Sequence, residues 1–384
     1  MMNNDNNSQE KVINIAIIGA GWIGEVHCEC FKRLEDYISG VTINLYVVVD
    51  IFEERVKEIA KKYKFQKWNT HWKNIIKDKK IDIVDICTSN QFHKEIAIAA
   101  AKEGKHILCE KPLSTDLKNT IELIEIIKKY KIKKLINFNY RKVPAIKYIH
   151  QLINEGKLGE VYHFKCFMAQ DFAMGSDVLA GNWHFKKSIA GGGSLVTMGI
   201  HPLDMARYLV GEFSEVLALS NTFIKERTSI VNGKIKGEKV DVDDSTAVLA
   251  KFDTGSIGTF LFSWLVAGRK HHFEFEINGS KGSVIFNSER MNEIMYCDND
   301  IKDKRNIGFK NILIGAEHPY GNLFSLKTGM GIGIKESFII QFVEFIKAIL
   351  ENTDTDPDFN EGLEVQKIID AIQMSEEKHE WVKM

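Results

Sequence analysis

The stretch "INIAIIGAGWIG", Ile13–Gly24, decides the fold. Its first half is a short apolar run ending at glycine, the pattern of a fully buried parallel strand. Its second half is G-x-G-x-x-G, and a helix-like stretch, Trp22–Leu34, runs on from it. A glycine-rich turn between a buried strand and a helix is the arrangement that a dinucleotide requires. Gly19 permits the tight turn, Gly21 lets a pyrophosphate approach the backbone, and Gly24 lets helix and strand pack closely. The N–H groups at the helix start, at Trp22 and Ile23, attract phosphate together with the helix dipole. The second strand, "TINLYVVVD" (Thr42–Asp50), ends at an acid. A carboxylate there binds both ribose hydroxyls and repels a 2′-phosphate. Ile51 and Phe52 follow it and bring no cation, although Arg55 lies within a helical turn. The expected cofactor is therefore NAD, with NADP second.

Outward from this unit the alternation continues. Glu53–Tyr63 has helical spacing, Ile81–Thr88 reads as a buried strand, and His93–Glu103 is a helix stopped by Gly104. A strand "HILCEKP" follows, then a helix to Tyr130 with Ser114 and Asp116 as possible N-caps, then "KKLINFNYR". Repeated strand–helix–strand units predict a doubly wound parallel sheet. After about Lys142 the rhythm changes. A helix (Ala145–Asn154) and a strand (Glu160–Ala169) precede a glycine segment. Strands then dominate from Glu215, with hairpin turns at "FDTGSIG" and "NGSKGS", and two helices near Glu336–Glu351 and Asn360–Glu377 finish the chain. The expected organisation is a disordered tail (1–12), a Rossmann domain (13–138) and an α+β domain (139–384) with a large, mostly antiparallel open sheet.

The bulk composition excludes several classes. Lys plus Arg (51) nearly balances Asp plus Glu (52) over 384 residues, so neither nucleic acid nor an anionic membrane is the expected partner. The apolar runs are too short to span a bilayer, and the N-terminus lacks a secretory signal. The six cysteines include no C-x-x-C pair, which suits thiols in a reducing cytoplasm and no metal site.

Two further segments carry chemistry. "LCEKPLS" (Leu108–Ser114) places Glu110, Lys111 and Pro112 at the carboxyl end of a parallel strand, where ligands bind. A lysine there can stabilise charge on a substrate oxygen. "AGGGSLVTMGIHPLD" (Ala190–Asp204) reads as a buried helix whose face carries Thr197, His201 and Asp204 at i, i+4, i+7. Pro202, with Gly199 nearby, predicts a kink at the histidine.

The fingerprint, "TSNQFH" (Thr88–His93), "CEKP" and "GGGxxxxxGxHxxD" together resemble the glucose–fructose oxidoreductase/inositol dehydrogenase family (Gfo/Idh/MocA). "VDVDDSTAVLAKFDTGSIGTF", "GRKHHFEFEINGSKGS" and "ERMNE" resemble its cyclic-polyol and anhydrosugar branch, which includes inositol and levoglucosan dehydrogenases. The resemblance implies a hydride transfer between a secondary hydroxyl of a cyclic sugar or polyol and nicotinamide. It implies Lys111 beside both the nicotinamide and the reacting hydroxyl and His201 as general base, with Thr88, Ser89, Asn90, His93, Glu110 and Lys111 bordering the cofactor. It also implies a substrate wall of Tyr140, Arg141, Asp171, Trp183 and His184, and assembly as a homodimer or homotetramer through the C-terminal sheet. The family usually carries Asp where this chain has Thr197, so either Asp204 or Asp171 compensates for the missing charge or the substrate differs. Family relatives that cleave or epimerise sugars with retained NAD, or that sense without turnover, are the alternative activities.

Overall fold

The computed structural model describes residues 11–175, 182–231, 234–324, 327 and 330–384. Residues 1–10 of the expected tail lie outside this range, and Lys11 and Val12 already belong to the first strand. The chain forms two compact units. One comprises residues up to Glu110 together with Glu122–Asn137 and Phe338–Phe359; the other comprises Lys111–Ile121, Phe138–Ser337 and Asn360–Met384. The sequence reading places a single boundary near residue 139, whereas the chain passes between units several times.

The first unit contains β1 (Lys11–Ile18), α1 (Trp22–Lys32), β2 (Val41–Val49), α2 (Glu53–Tyr63), β3 (Lys67–Asn69), β4 (Ile83–Ile86), α3 (His93–Lys102), β5 (His106–Cys109), most of α4 (Leu117–Ile127) and β6 (Lys134–Ile136). All neighbours pair in parallel in the order β3-β2-β1-β4-β5-β6. This is the doubly wound order, whose topological switch lies between β1 and β4. Ile15, Ile17, Val48, Ile83 and Val84 are fully or nearly fully buried, as strands covered on both faces require. Asp116 caps α4, accepting from the backbone N–H of Asn119 at 2.8 Å, while the Ser114 hydroxyl bonds that of Thr120 at 2.7 Å.

The second unit starts its own architecture with α5 (Pro144–Asn154) and β7 (Val161–Ala169). A short α6 (Lys187–Ala190), a π turn (Leu195–Gly199) and α7 (Ile200–Leu209) follow. The strands β8 (Phe213–Asn221), β9 (Glu226–Val231), β10 (Lys234–Lys239), β11 (Ser245–Phe252), β12 (Ile257–Ser263), β13 (His272–Gly279), β14 (Gly282–Asn287), β15 (Glu293–Asp298) and β16 (Lys310–Leu313) come next. The chain ends with α8 (Ile334–Glu351), α9 (Phe359–Lys378) and β17 (Val382–Lys383). Nine strands form one open sheet in the order β16-β15-β14-β13-β7-β12-β11-β8-β17, antiparallel except at β12–β7. One face of β11 and β12 is buried through Val248, Ala250, Phe260 and Phe262, while Leu249, Ile257 and Leu261 on the other face are exposed. Among the described residues no helix is long and apolar enough to cross a membrane.

Candidate active site

The first unit holds a dinucleotide cradle. Gly19 has φ +105°, and a Cβ there would sit 2.4 Å from the Cys87 carbonyl oxygen. A Cβ on Gly24 would meet the Gly19 carbonyl oxygen at 1.9 Å, so α1 can start this close to the strands only with glycine. A Cβ on Gly21 would meet nothing within 4 Å, and no side chain caps α1 there. Open space over uncapped first-turn N–H groups fits a pyrophosphate. The Asp50 carboxylate is held at the end of β2 by the N–H groups of Ala20 (2.8 Å) and Phe52 (2.9 Å). The Arg55 guanidinium lies 3.8 Å from it and rests on the Phe52 ring. Trp22, Ile51 and Phe52 are exposed around this cradle. Ser89 precedes the short turn Asn90–Phe92, and His93 bonds the Thr88 carbonyl through Nε2 at 2.9 Å.

Beneath the cradle lies a buried ionic cluster that the sequence reading missed. His27 of α1 contacts Asp85 through Nδ1 (2.9 Å) and Glu110 through Nε2 (3.2 Å). Asn137 donates to Glu110 in turn. Four segments, α1, β4 and the ends of β5 and β6, thus meet at one imidazole. Burial pushes the His27 pKa down, but the two carboxylates outweigh it and hold it up at about 9. A histidine raised from 6.5 stabilises the fold fully below about pH 6.5, and that contribution is lost as pH rises through about 9. Thermal melts from about pH 6 to pH 10 are expected to show an alkaline decline. His27→Gln should melt lower near neutrality and flatten that decline; equal slopes in the two proteins would contradict the pairing.

In the second unit the glycine segment starts the histidine-bearing helix. A Cβ on Gly193 would meet the Asp243 carbonyl oxygen at 1.9 Å. This approach lets the Asp243 carboxylate accept from the N–H groups of Gly193 (2.8 Å) and Leu195 (2.8 Å) and the Ser194 hydroxyl (2.7 Å). A carboxylate from a distant loop therefore caps the helix and answers its dipole. The expected kink takes the form of a π turn over Leu195–Gly199, directly before His201 and Pro202. Pro202 has no N–H for a carbonyl in the preceding turn. The Thr197 carbonyl accepts instead from Lys111 Nζ at 2.9 Å. The wider turn also breaks the simple i, i+4, i+7 phase of a straight α-helix.

Lys111, His201, His184 and His271 form one electrostatic group. Burial and then the Lys111 ammonium hold His201 well below its ordinary value, with His271 adding to this. The same two causes lower His184 to about 4 and also lower His271. All three imidazoles are therefore neutral at pH 7. The Tyr140 ring stands edge-on to His201 at 5.0 Å, and its hydroxyl bonds Nε2 of His271. His271 contacts the Gln170 amide through Nδ1 at 2.6 Å. Trp183 stacks on His184 at 3.8 Å between ring centroids, and Asn182 holds His184 Nδ1 at 2.6 Å.

The remaining expected site residues have partners of their own. Arg141 is buried against Asp204 (Nε to Oδ2, 3.0 Å) and also bonds Glu361. Asp171 is bonded to Lys270 at 2.6 Å. Both carboxylates expected to replace the charge missing at Thr197 thus already face cations. His271 and Asp243 were not singled out in the sequence; their only signal was membership of the quoted "GRKHH" and "VDVDD" stretches.

Comparison with known proteins identifies the family. Residues 13–138 match the family described as an oxidoreductase family with an NAD-binding Rossmann fold, and residues 146–285 match the GFO/IDH/MocA C-terminal domain. A levoglucosan dehydrogenase from Pseudarthrobacter phenanthrenivorans is 36% identical over 96% of this chain and 97% of its own length. The chain belongs to the Gfo/Idh/MocA oxidoreductase family. A second relative in the family, the myo-inositol 2-dehydrogenase of Thermotoga maritima, is 30% identical over 74% of this chain and 78% of its own length. A solved levoglucosan dehydrogenase in complex with NADH and levoglucosan superposes with a TM-score of 0.92 at 35% identity, covering 97% of this chain and 99% of its own. As a Gfo/Idh/MocA protein, this chain is an NAD-binding oxidoreductase.

Proposed function

We propose that this chain reversibly oxidises a secondary hydroxyl of a cyclic anhydrosugar or polyol, using Lys111 and His201. The observation that carries this reading is the Lys111 ammonium, held by the Thr197 carbonyl among three neutral histidines. NAD, when bound, supplies the hydride acceptor. Lys111 donates to the substrate oxygen and favours its alkoxide form. His201, neutral at working pH, accepts the hydroxyl proton. Tyr140, His184 and Trp183 line a polar and aromatic substrate wall. Gly19, Gly21, Trp22, Ile23, Gly24, Asp50 and Ile51, with Thr88, Ser89, Asn90, His93 and Glu110, hold the dinucleotide. The chain itself joins the two parts, because Lys111 directly follows Glu110. Levoglucosan and inositol dehydrogenases among the relatives support the substrate class. The test is a panel of anhydrosugars, inositols and aldoses, read as reduction of NAD and NADP in parallel. Reduction of NAD by a cyclic polyol is expected; no reduction of either cofactor by any member overturns the reading.

Preference for NAD rests on Asp50. Asp50→Ser removes the repulsion of a 2′-phosphate and leaves Arg55 within reach. The ratio of kcat/KM for NADP over NAD is expected to rise by roughly five- to tenfold, as for one exposed charge repulsion of about 1 kcal/mol. An unchanged ratio would show that Asp50 does not select the cofactor.

We further infer a homodimer or homotetramer formed through the open face of the nine-stranded sheet. Leu219, Ala247 and Leu261 form one cross-strand row there and are exposed. Leu249 adds to the same face. A contiguous exposed apolar patch of this kind favours a protein partner. Light scattering at micromolar concentration should give a multiple of the monomer mass, and Leu261→Lys should reduce it. A monomer mass for the unaltered chain would refute this assembly. The six cysteines are all thiols, which supports a reducing compartment, the cytoplasm.

A further inference from the structure

Two side-chain amides beside the histidines of the site settle which ring nitrogen carries the proton. Asn182 Oδ1 accepts from the backbone N–H of His184 at 3.2 Å and lies 2.6 Å from Nδ1 of the same residue. An amide oxygen only accepts, so Nδ1 carries the proton of this neutral ring and Nε2 keeps its lone pair. The opposite holds at His271. Its Nδ1 accepts from the Gln170 side-chain NH2 at 2.6 Å, so Nε2 carries the proton. That N–H donates to the Tyr140 hydroxyl. A phenol that accepts from one neighbour still has its own proton to give. Tyr140 is buried with its ring edge-on to His201, and among the described residues no acceptor takes that proton. Folded proteins rarely leave a buried donor unmet, so the phenolic proton marks a place for a ligand oxygen.

We propose that Asn182 and Gln170 set the polarity with which the site reads its substrate: His184 Nε2 accepts from a substrate hydroxyl, and Tyr140 donates to a substrate oxygen that has no proton to give. The inference rests on the dehydrogenase reading of this site and deepens it. Asn182, Gln170 and His271 are positioning residues, because they act through His184 and Tyr140. Two oxygens of a cyclic sugar meet the requirement at Tyr140. One is a ring or bridging ether oxygen. The other is the reacting oxygen once His201 has accepted its proton.

The surroundings keep both polarities in place at neutral pH. Burial and then Lys111 hold His184 at about 4, so its Nε2 stays an acceptor. Trp183 stacks on the ring at 3.8 Å between centroids, which leaves the ring edge to meet a ligand. The same causes lower His271, so its Nδ1 stays free of a proton and continues to accept from Gln170. Burial raises the Tyr140 pKa, so the phenol keeps the proton it donates. The groups about Tyr140 are themselves donors, the His271 Nε2–H in contact and the Lys111 ammonium within electrostatic reach of that ring. A hydroxyl accepting from Tyr140 would turn its own proton towards donors, whereas an ether or alkoxide oxygen brings none.

Two measurements test this polarity. The first needs neither cofactor nor substrate. Nitrogen NMR of histidine-labelled protein, read above the pH at which the rings titrate, should show His184 protonated on Nδ1 and His271 on Nε2. The other tautomer at either ring overturns the inference. The second uses levoglucosan and myo-inositol with NAD, at the same pH and in variants whose melting temperature shows that they are folded. Gln170→Glu replaces the NH2 donor with a carboxylate of equal length. His271 must then carry its proton on Nδ1, and its Nε2 takes the phenolic proton of Tyr140. Both Gln170→Glu and Tyr140→Phe are expected to lower kcat/KM for levoglucosan by roughly ten- to a hundredfold, the cost of one buried hydrogen-bonding group left unmatched. A loss confined to levoglucosan places its ether oxygen at Tyr140, since inositol has none. An equal loss on both sugars, carried by kcat, places the reacting oxygen there. Gln170→Met neither donates nor accepts as an amide does, leaves His271 either tautomer, and should lose less than Gln170→Glu. Equal losses in those two variants mark a packing role and overturn the inference. No loss in Gln170→Glu or Tyr140→Phe, with any sugar the unaltered chain oxidises, overturns the inference alone. An unaltered chain inactive with the whole panel overturns the dehydrogenase reading and the inference with it.

Discussion

Lys111→Met is expected to cut kcat/KM with a cyclic polyol by about a hundredfold to a thousandfold, the usual cost of losing one donor to a developing oxyanion. Methionine keeps the length and apolar stem of the side chain and removes the ammonium that the Thr197 carbonyl now orients at 2.9 Å. Dinucleotide binding should survive, because the cradle at Gly19–Gly24 and Asp50 does not depend on this side chain. The substitution has a second signature, read in protein whose melting temperature shows that it is folded. The Lys111 charge contributes to lowering His201, His184 and His271. Burial, the larger cause, remains, so removal of the charge should raise all three only in part, His184 upward from about 4. Histidine NMR of the cofactor-free protein reads this directly. Retained turnover together with unmoved histidines would remove Lys111 from the site.

His201→Asn is expected to lower kcat by roughly a hundredfold to ten-thousandfold, the range for loss of a general base. Asparagine preserves polarity and approximate volume on a helix whose neighbours Ile200, Leu203 and Met205 are buried. The pH profile distinguishes a base from a packing residue. Burial first, then Lys111, lowers the His201 pKa, so the base stays neutral at pH values where an ordinary histidine would already be protonated. The acid limb of kcat/KM in the unaltered chain should therefore lie below pH 6.5, and in Lys111→Met any residual activity should show that limb moved upward. A His201→Asn enzyme with the same acid limb and rate as the unaltered chain would assign the base elsewhere.

Much of the first unit was legible because its signals are local. An apolar run ending at Gly19, an acid closing the second strand and a helix stopped by Gly104 are properties of neighbouring residues. The predicted helix Glu53–Tyr63 and strand Ser245–Phe252 coincide with the observed elements. The short strand β3 escaped because its three residues carry no period of their own and exist only through pairing with β2. The strands β15 and β16 escaped for a similar reason, since their half-exposed faces leave a weak alternation. Phe338–Phe359 joins the first unit because Gln341 donates to the Ile136 carbonyl and Phe342 packs on His27 and Phe31, contacts far apart in the chain.

The sequence by itself determined the dinucleotide turn, the acid that follows it, the Glu110–Lys111–Pro112 motif and the candidate histidine. Each is encoded by adjacent residues whose covalent spacing sets their geometry. Only the tertiary structure decided how those groups are charged and connected. It bound Asp204 to Arg141 and Asp171 to Lys270, so neither carboxylate remains a simple substitute for the charge absent at Thr197. It brought Asp243 to cap the helix of His201, His27 between two carboxylates, and His271 onto Tyr140. Those pairings join residues remote in sequence, and burial then sets the strength of each charge, which linear spacing cannot specify.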